Sequence, residues 1–269
     1  AAAAADAAKV LDIQTRLAKA SLTPVERRNP DNNYNKITVA DAETLTPNFS
    51  WAGYFAARGL PAAGGFNVAP AKFFKEVNAM MADVSIADWK TYLRWMVVNS
   101  AANSLPKAFA DENFAFFGKH LSGQKERQPR WKTCTQTVDG ALGEALGMEF
   151  AKRAFTPAAK ARMNTLIDNL MVSMKGRIDG LDWMSSETKK QAQAKLATFK
   201  RKIGYPDVLR GYKGLEVKRD SFAGNLIRSN QFQIKRNMAD IGKPRDRTRM
   251  GMTPPTVNAS YSPQNNDIT

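Results

Sequence analysis

Between Thr156 and Leu181 the chain carries Met163, Leu166, Ile167, Leu170, Met171, Met174, Ile178 and Leu181, apolar residues returning at spacings of three and four. That period lines them along one side of an α-helix. The start is marked too. Thr156 can accept from the first free amides, and Pro157 has no N–H to lose at the first helical position. The stretch predicts a helix of about six turns with one buried face. It sets the expected fold class as mainly α.

The same period recurs elsewhere. Val10, Ile13 and Leu17 share a face of a first helix, and Thr38 can cap a short second one. Ser85 to Asp88 reads as a capping box, ahead of a stripe of Ile86, Trp89, Leu93, Met96 and Val97. Such a stripe is expected to be core, not a cofactor pocket. Phe109, Phe114, Phe117 and Leu121 form an apolar cluster that stops at Gly123. Ser185 or Ser186 caps another helix, with Thr188, Ala192, Leu196 and Phe199 inward and Gly204-Tyr205-Pro206 at its end.

After residue 238 the texture changes. "IGKPRDRTRMGMTPPTVNASYSPQNNDIT" is rich in Pro, Gly, Asn and Thr, and its period falls to about two. Val257 to Tyr261 reads as a short strand. The expected organisation is a helical lobe over residues 1–238, then a linker and edge strand over 239–269.

Much chemistry is excluded. Cys134 is the single cysteine, so no disulfide closes within the chain. His120 is the single histidine, so neither a structural zinc site nor the two or three histidines of a catalytic one can be built. No G-x-S-x-G supports a serine triad through His120, which is expected at the surface or half-buried on a helix. The 40 Lys and Arg against 25 Asp and Glu give a net charge of +15. The cations are interspersed with acids and form no long block, so a solvated basic surface is expected and no specific nucleic-acid partner. No apolar run is long enough to span a membrane. Ala1 to Val10 lacks the basic and greasy regions of a secretory signal.

Stretches along nearly the whole chain resemble one family. They are "YNKITV" at 34–39, "DWKTYLRW" at 88–95, "LSGQKERQPRWKTC" at 121–134, "ALGEALG" at 141–147, "LDWMSSETKKQAQAKL" at 181–196, "KIGYPD" at 202–207 and "IGKPRDR" at 241–247, closed by "MTPPTVNASYSPQNNDI". In this order they are similar to the neprilysin and endothelin-converting-enzyme family of zinc metalloendopeptidases, its bacterial members above all.

The resemblance implies a helical, non-catalytic lobe covering the substrate cavity. The first strand-containing segment of an α+β, thermolysin-like catalytic lobe would follow, and the chain would stop before H-E-x-x-H. Zinc is then the cofactor of the complete enzyme, held by none of the present residues. Peptide substrates and the absent C-terminal catalytic segment are the implied partners, and the implied location is extracytoplasmic, periplasmic or secreted.

One functional element falls inside the text. In the family pattern V-N-A-Y-Y, the Asn side chain and Ala carbonyl hold the substrate backbone, which maps the role onto Asn258 and Ala259. An edge strand suits the task, because its unpaired N–H and C=O groups can take an added peptide. The chain departs from the pattern at Ser260, where the first Tyr is usual, and at Met250, where an aromatic is common. Cys134 matches a position that is disulfide-bonded in animal relatives to a more N-terminal segment; a buried free thiol is the other reading. Trp51, Trp89, Trp95, Trp131 and Trp183 are expected in the lobe core. The alternative function is a self-standing basic helical interaction protein that binds anionic partners.

Overall fold

The computed structural model describes residues 2–60 and 64–269, so Ala1 of the alanine tract lies outside it. Helices dominate, and strands are two residues long. The chain divides into two compact units, Ala1–Lys125 and Glu126–Thr269.

The first unit is built on α1 (Ala2–Ala20), α4 (Ala71–Asp83) and α5 (Ile86–Ala101). Val10 and Ile13 of α1, Met80 of α4 and Tyr92 of α5 are buried together, with Leu17, Val84, Trp89 and Trp95 packed against them. Charges sit over this seam. The Arg16 guanidinium donates to both carboxylate oxygens of Asp83 at 2.8 and 3.0 Å and to Glu76 at 2.8 Å. It holds the Asp83 carboxyl below the usual carboxylate range. Lys9 reaches Asp88 at 2.9 Å. Such exposed pairs orient the helices more than they stabilise them.

Between α1 and α4 lie α2 (Val39–Leu45) and α3 (Trp51–Ala57). A hairpin pairs β1 (Lys36–Ile37) with β2 (Phe66–Asn67). Thr38 caps α2 in a full capping box with Asp41. Trp51 packs among Phe49, Phe55, Phe66 and Phe74 and donates its indole N–H to Thr46 at 2.8 Å. After α6 (Lys107–Asn113) a wider π-helical stretch, Phe114–Leu121, ends before Gly123, whose φ of 67° lies in the left-handed region that favours glycine.

The second unit carries α7 (Arg130–Ala154), α8 (Pro157–Asp179), α9 (Ser186–Ala197) and α10 (Phe222–Met238). A small sheet joins β3 (Lys200–Arg201), β4 (Tyr261–Ser262) and β5 (Asp267–Ile268) in the order β3-β5-β4.

Several expectations are corrected. The helix that starts at Thr156 forms as read, capped by the Thr156 hydroxyl, but none of its residues is buried. Leu166, Leu170 and Met174 are at least half exposed. Periodicity establishes that a helix has an apolar face; burial of that face needs a second surface, and α8 packs chiefly on the one neighbour α9. On α5 the core side is Trp89, Tyr92 and Trp95, while Ile86, Leu93, Met96 and Val97 are exposed. Ser85 caps that helix, and its hydroxyl also donates to the Asp88 carboxylate at 2.8 Å. Trp131 and Trp183 are exposed, not core. Phe109, Phe117 and Leu121 are also exposed.

Helix α9 ends at Ala197, because the chain turns into β3 before it reaches Gly204. Thr188 is exposed there, while Ala192, Leu196 and Phe199 are half-buried. Cys134 is exposed and free, which removes the buried-thiol reading. His120 is exposed, its ring stacked on Phe116. Among the described residues no helix is long and apolar enough to cross a membrane.

Candidate functional site

Asn258 and Ala259 follow a segment that lies tightly on α7. The helix supplies the room with two buried glycines. A Cβ on Gly143 would come within 2.3 Å of the Thr253 methyl carbon, and one on Gly147 within 2.3 Å of Pro254 Cδ. These are the glycines of "ALGEALG", so that motif has a packing reason. The Thr253 hydroxyl then donates to Asp139 at 2.8 Å, and the Thr256 amide to the Thr253 carbonyl at 2.9 Å.

Helix α7 is bent where this happens. Leu142 has φ −132° and ψ 32°, which breaks the intrahelical ladder. Side chains from elsewhere in the unit take up freed groups. The Ser229 hydroxyl donates to the Ala141 carbonyl at 3.0 Å, and the Glu144 amide donates to the Tyr212 hydroxyl at 3.1 Å. Glu144 in turn accepts from the Arg210 amide at 3.0 Å.

The glycine reading has a direct check. Gly147→Val drives a branched side chain into Pro254 and is expected to lower stability by about 1–3 kcal/mol through overpacking. Gly140, whose Cβ position is open, serves as the control. Gly140→Ala is expected to be neutral or to stabilise by up to ~1 kcal/mol, through helix propensity. Equal melting temperatures for Gly147→Val and wild type would show that the segment yields freely.

Beyond Pro255 the chain extends. The assigned strand begins at Tyr261, not at Val257, but pairing reaches one residue further. Ser260 and Thr269 exchange both amide–carbonyl hydrogen bonds at 3.0 Å. Because β4 is at the edge of the sheet, its outer side carries unpaired backbone groups. Asn258 and Ala259 are both exposed. The Asn258 side-chain oxygen accepts from the Ala259 amide at 2.8 Å, and among the described residues its NH₂ has no hydrogen-bond acceptor. Among the described residues the Ala259 carbonyl has no hydrogen-bond partner. A groove of about 650 Å³ runs beside this segment, with Phe150, Phe155, Met163, Ile167, Met252 and Tyr261 among its walls. An apolar groove beside open backbone groups can take an extended chain that alternates hydrogen bonds and side-chain contacts.

Residues that the sequence reading did not single out hold this edge in place. Lys202 and Asp267 form a buried ion pair at 2.6 Å, with side chains 8% and 3% exposed. The contact is an ion pair and not an aligned hydrogen bond, since Asp267 Oδ2 finds no donor at good angles. Asn266, in the hairpin turn, and Arg247 tie that turn to the end of α9. Elsewhere in the unit, Arg249 donates to Asp240 at 2.7 Å and Arg210 lies 3.3 Å from the same carboxylate. Arg249 holds the Asp240 carboxyl below its ordinary range. Burial, with Arg236 and Arg249 nearby, pushes the Arg210 guanidinium down. The pairing of Lys202 with Asp267 carried no signal in the sequence, because a contact between the residue after β3 and one in β5 is set by strand order and not by spacing.

The donor set does not fit a catalytic zinc. Among the described residues no group of three or more His, Cys, Asp or Glu could hold a metal ion. Asn258 and Ala259 are thus brought together on one open edge, with no metal ligand beside them.

Comparison with known proteins identifies the family. The sequence profile of Peptidase family M13 matches residues 1–206. An endothelin-converting enzyme homolog of Locusta migratoria is 28% identical over 96% of this chain and 38% of its own length. Neprilysin-11 of Caenorhabditis elegans is 28% identical over 98% of this chain and 33% of its own. The inhibitor complex of the zinc metalloprotease ZMP1 of Mycobacterium tuberculosis superposes with a TM-score of 0.90 at 34% identity, over 98% of this chain and 40% of that one. The chain therefore spans well under half the length of these relatives. A profile match over most of the chain, with the fold of a zinc metalloprotease, makes this chain a member of peptidase family M13.

Proposed function

We propose that this chain is part of a zinc-dependent endopeptidase that hydrolyses short oligopeptides. Residues 1–238 form its non-catalytic lobe, which limits access by size, and residues 239–269 its linker and peptide-aligning strand. The observation that carries the reading is the open edge at 258–259: an exposed Asn side chain and an unpaired Ala carbonyl beside an apolar groove. An extended peptide laid along that edge pairs its backbone with Ala259 and Asn258, while its side chains meet the groove. The contribution of this chain is to bind and orient, which raises the rate by fixing the scissile bond in a reactive position.

Zinc would be the cofactor of the complete enzyme, where it would supply carbonyl polarisation or an activated water, and none of the described residues would hold it. Its ligands, and the peptidase itself, lie with the C-terminal catalytic segment that partners this chain. An extracytoplasmic location follows the family. The rival reading, a self-standing basic interaction protein, draws only on net charge, which family membership leaves without a specific task.

The test is metal analysis and peptide cleavage, on this chain and on the complete enzyme. The complete enzyme is expected to retain one zinc after dialysis and to cleave a short quenched peptide. This chain alone is expected to retain none and to cleave nothing. Tight zinc with peptidase activity in the isolated chain would overturn the assignment, as would a complete enzyme inert toward oligopeptides.

A further inference from the structure

Strands β4 and β5 pair Tyr261 with Ile268 and Ser262 with Asp267, and the ladder runs only one pair further, to Ser260 with Thr269. A hairpin that short is marginal by itself, and β3 pairs only with β5, which leaves β4 at the edge. On the reading above, its continuation at 258–260 must nevertheless present a fixed edge to a peptide. Something outside the hairpin has to fix it.

The turn of the hairpin supplies the means. Asn266 sits at φ 51°, in the left-handed region that Asn tolerates better than most residues. Its side-chain NH₂ donates to the Lys195 carbonyl at 2.7 Å and to the Thr198 hydroxyl at 2.9 Å. Its side-chain oxygen accepts from the Tyr261 hydroxyl at 3.1 Å. One side chain thus joins the end of α9 to the first residue of β4.

Arg247 makes the second bridge. Its guanidinium donates to the Thr198 carbonyl at 3.0 Å and to the Asn265 carbonyl at 2.6 Å. The carbonyls at a helix C-terminus lack intrahelical partners and carry the negative end of the helix dipole, so a cation there is well placed. The Phe199 ring, two residues beyond α9, lies parallel to the Tyr261 ring at 6.3 Å. All of these contacts converge on the same junction. "IGKPRDR" ends in the arginine that spans it.

We infer that Asn266 and Arg247 form a two-point latch between the C-terminal end of α9 and the 260–269 hairpin, and that this latch sets the position of the peptide-aligning segment. Both are positioning residues: they act on the substrate through Tyr261, Ser260 and Asn258. The inference rests on the function proposed for Asn258.

The test uses the zinc-loaded complete enzyme with a short quenched peptide, in wild type, Asn266→Gly, Asn258→Ala and the double variant. Glycine keeps the positive φ and removes all three side-chain bonds. Asn266→Gly is expected to lower kcat/KM by about 5- to 30-fold, with kcat and KM both affected. The decisive readout is coupling. Residues acting through one strand are non-additive, so the double variant is expected to lose little more than the worse single one. Independent, multiplicative losses would assign Asn266 to stability alone and overturn the latch. Arg247→Lys is expected to retain more activity than Arg247→Met. Arg247→Met carries the same coupling test if Asn266→Gly does not fold. Wild-type kinetics for Asn266→Gly beside an impaired Asn258→Ala overturn the latch and leave the proposed function standing. Wild-type kinetics for Asn258→Ala overturn both.

Discussion

Asp267→Ala is expected to lower the melting temperature of the chain by roughly 10 °C, a larger change than any surface charge would give. The Asp267 carboxylate is 2.6 Å from the Lys202 ammonium, and both side chains are almost fully covered. Removing one member leaves a buried charge without its partner, which costs about 3–5 kcal/mol. Asp267→Asn keeps an oxygen toward the ammonium and is expected to cost less. The double variant Lys202→Met with Asp267→Leu removes both charges and is expected to recover most of the stability, because a well-packed apolar pair avoids the desolvation penalty. Calorimetry of the variants decides the matter. A melting temperature for Asp267→Ala within about 2 °C of wild type, a shift worth only ~1 kcal/mol, would mean that water reaches Lys202.

The second large effect belongs to Asn258. Asn258→Ala in the complete enzyme is expected to lower kcat/KM by roughly 5- to 100-fold, since a lost hydrogen bond costs ~0.5–1.5 kcal/mol and ~1–3 when its partner stays buried and unpaired. If the contact also aligns the scissile bond, part of the loss falls on kcat. Zinc content and melting temperature are expected to change little, because the side chain is exposed and, among the described residues, its one hydrogen bond is with the adjacent amide. Ala259 is expected to tolerate small replacements better, as its contact is made by the backbone carbonyl. Steady-state kinetics on a folded, zinc-loaded variant give the answer. Wild-type kcat/KM would remove the strand from substrate binding.

Local structure was largely legible in the residues. Thr38, Ser85, Thr156 and Ser185 cap the helices they were expected to cap, because a cap depends on one side chain and amides three residues away. The mainly helical class, and the Val10–Ile13 face of the first helix, followed from a period that any observer can count. The peptidase family was legible too, through ordered stretches and not through any single residue. A single His120 and a single Cys134 limit, from the text alone, which metal sites the chain can build from its own residues.

Burial and position were not legible, for a physical reason. The α8 stripe is apolar whether or not a surface lies over it, and Leu166, Leu170 and Met174 stand exposed because coverage depends on tertiary neighbours. Alternation at 257–261 shows extended backbone, while a strand also needs a partner, and that partner begins to pair only at Ser260. Gly143 and Gly147 look like helix weaknesses until Thr253 and Pro254 are seen against them. Lys202 with Asp267, and Arg247 with Asn266 around Thr198, are far apart in sequence. Only the return of the chain beside β3 brings them together, so Asn258 and Ala259 could be proposed from the text, and the residues that hold that segment in place could be read only from the fold.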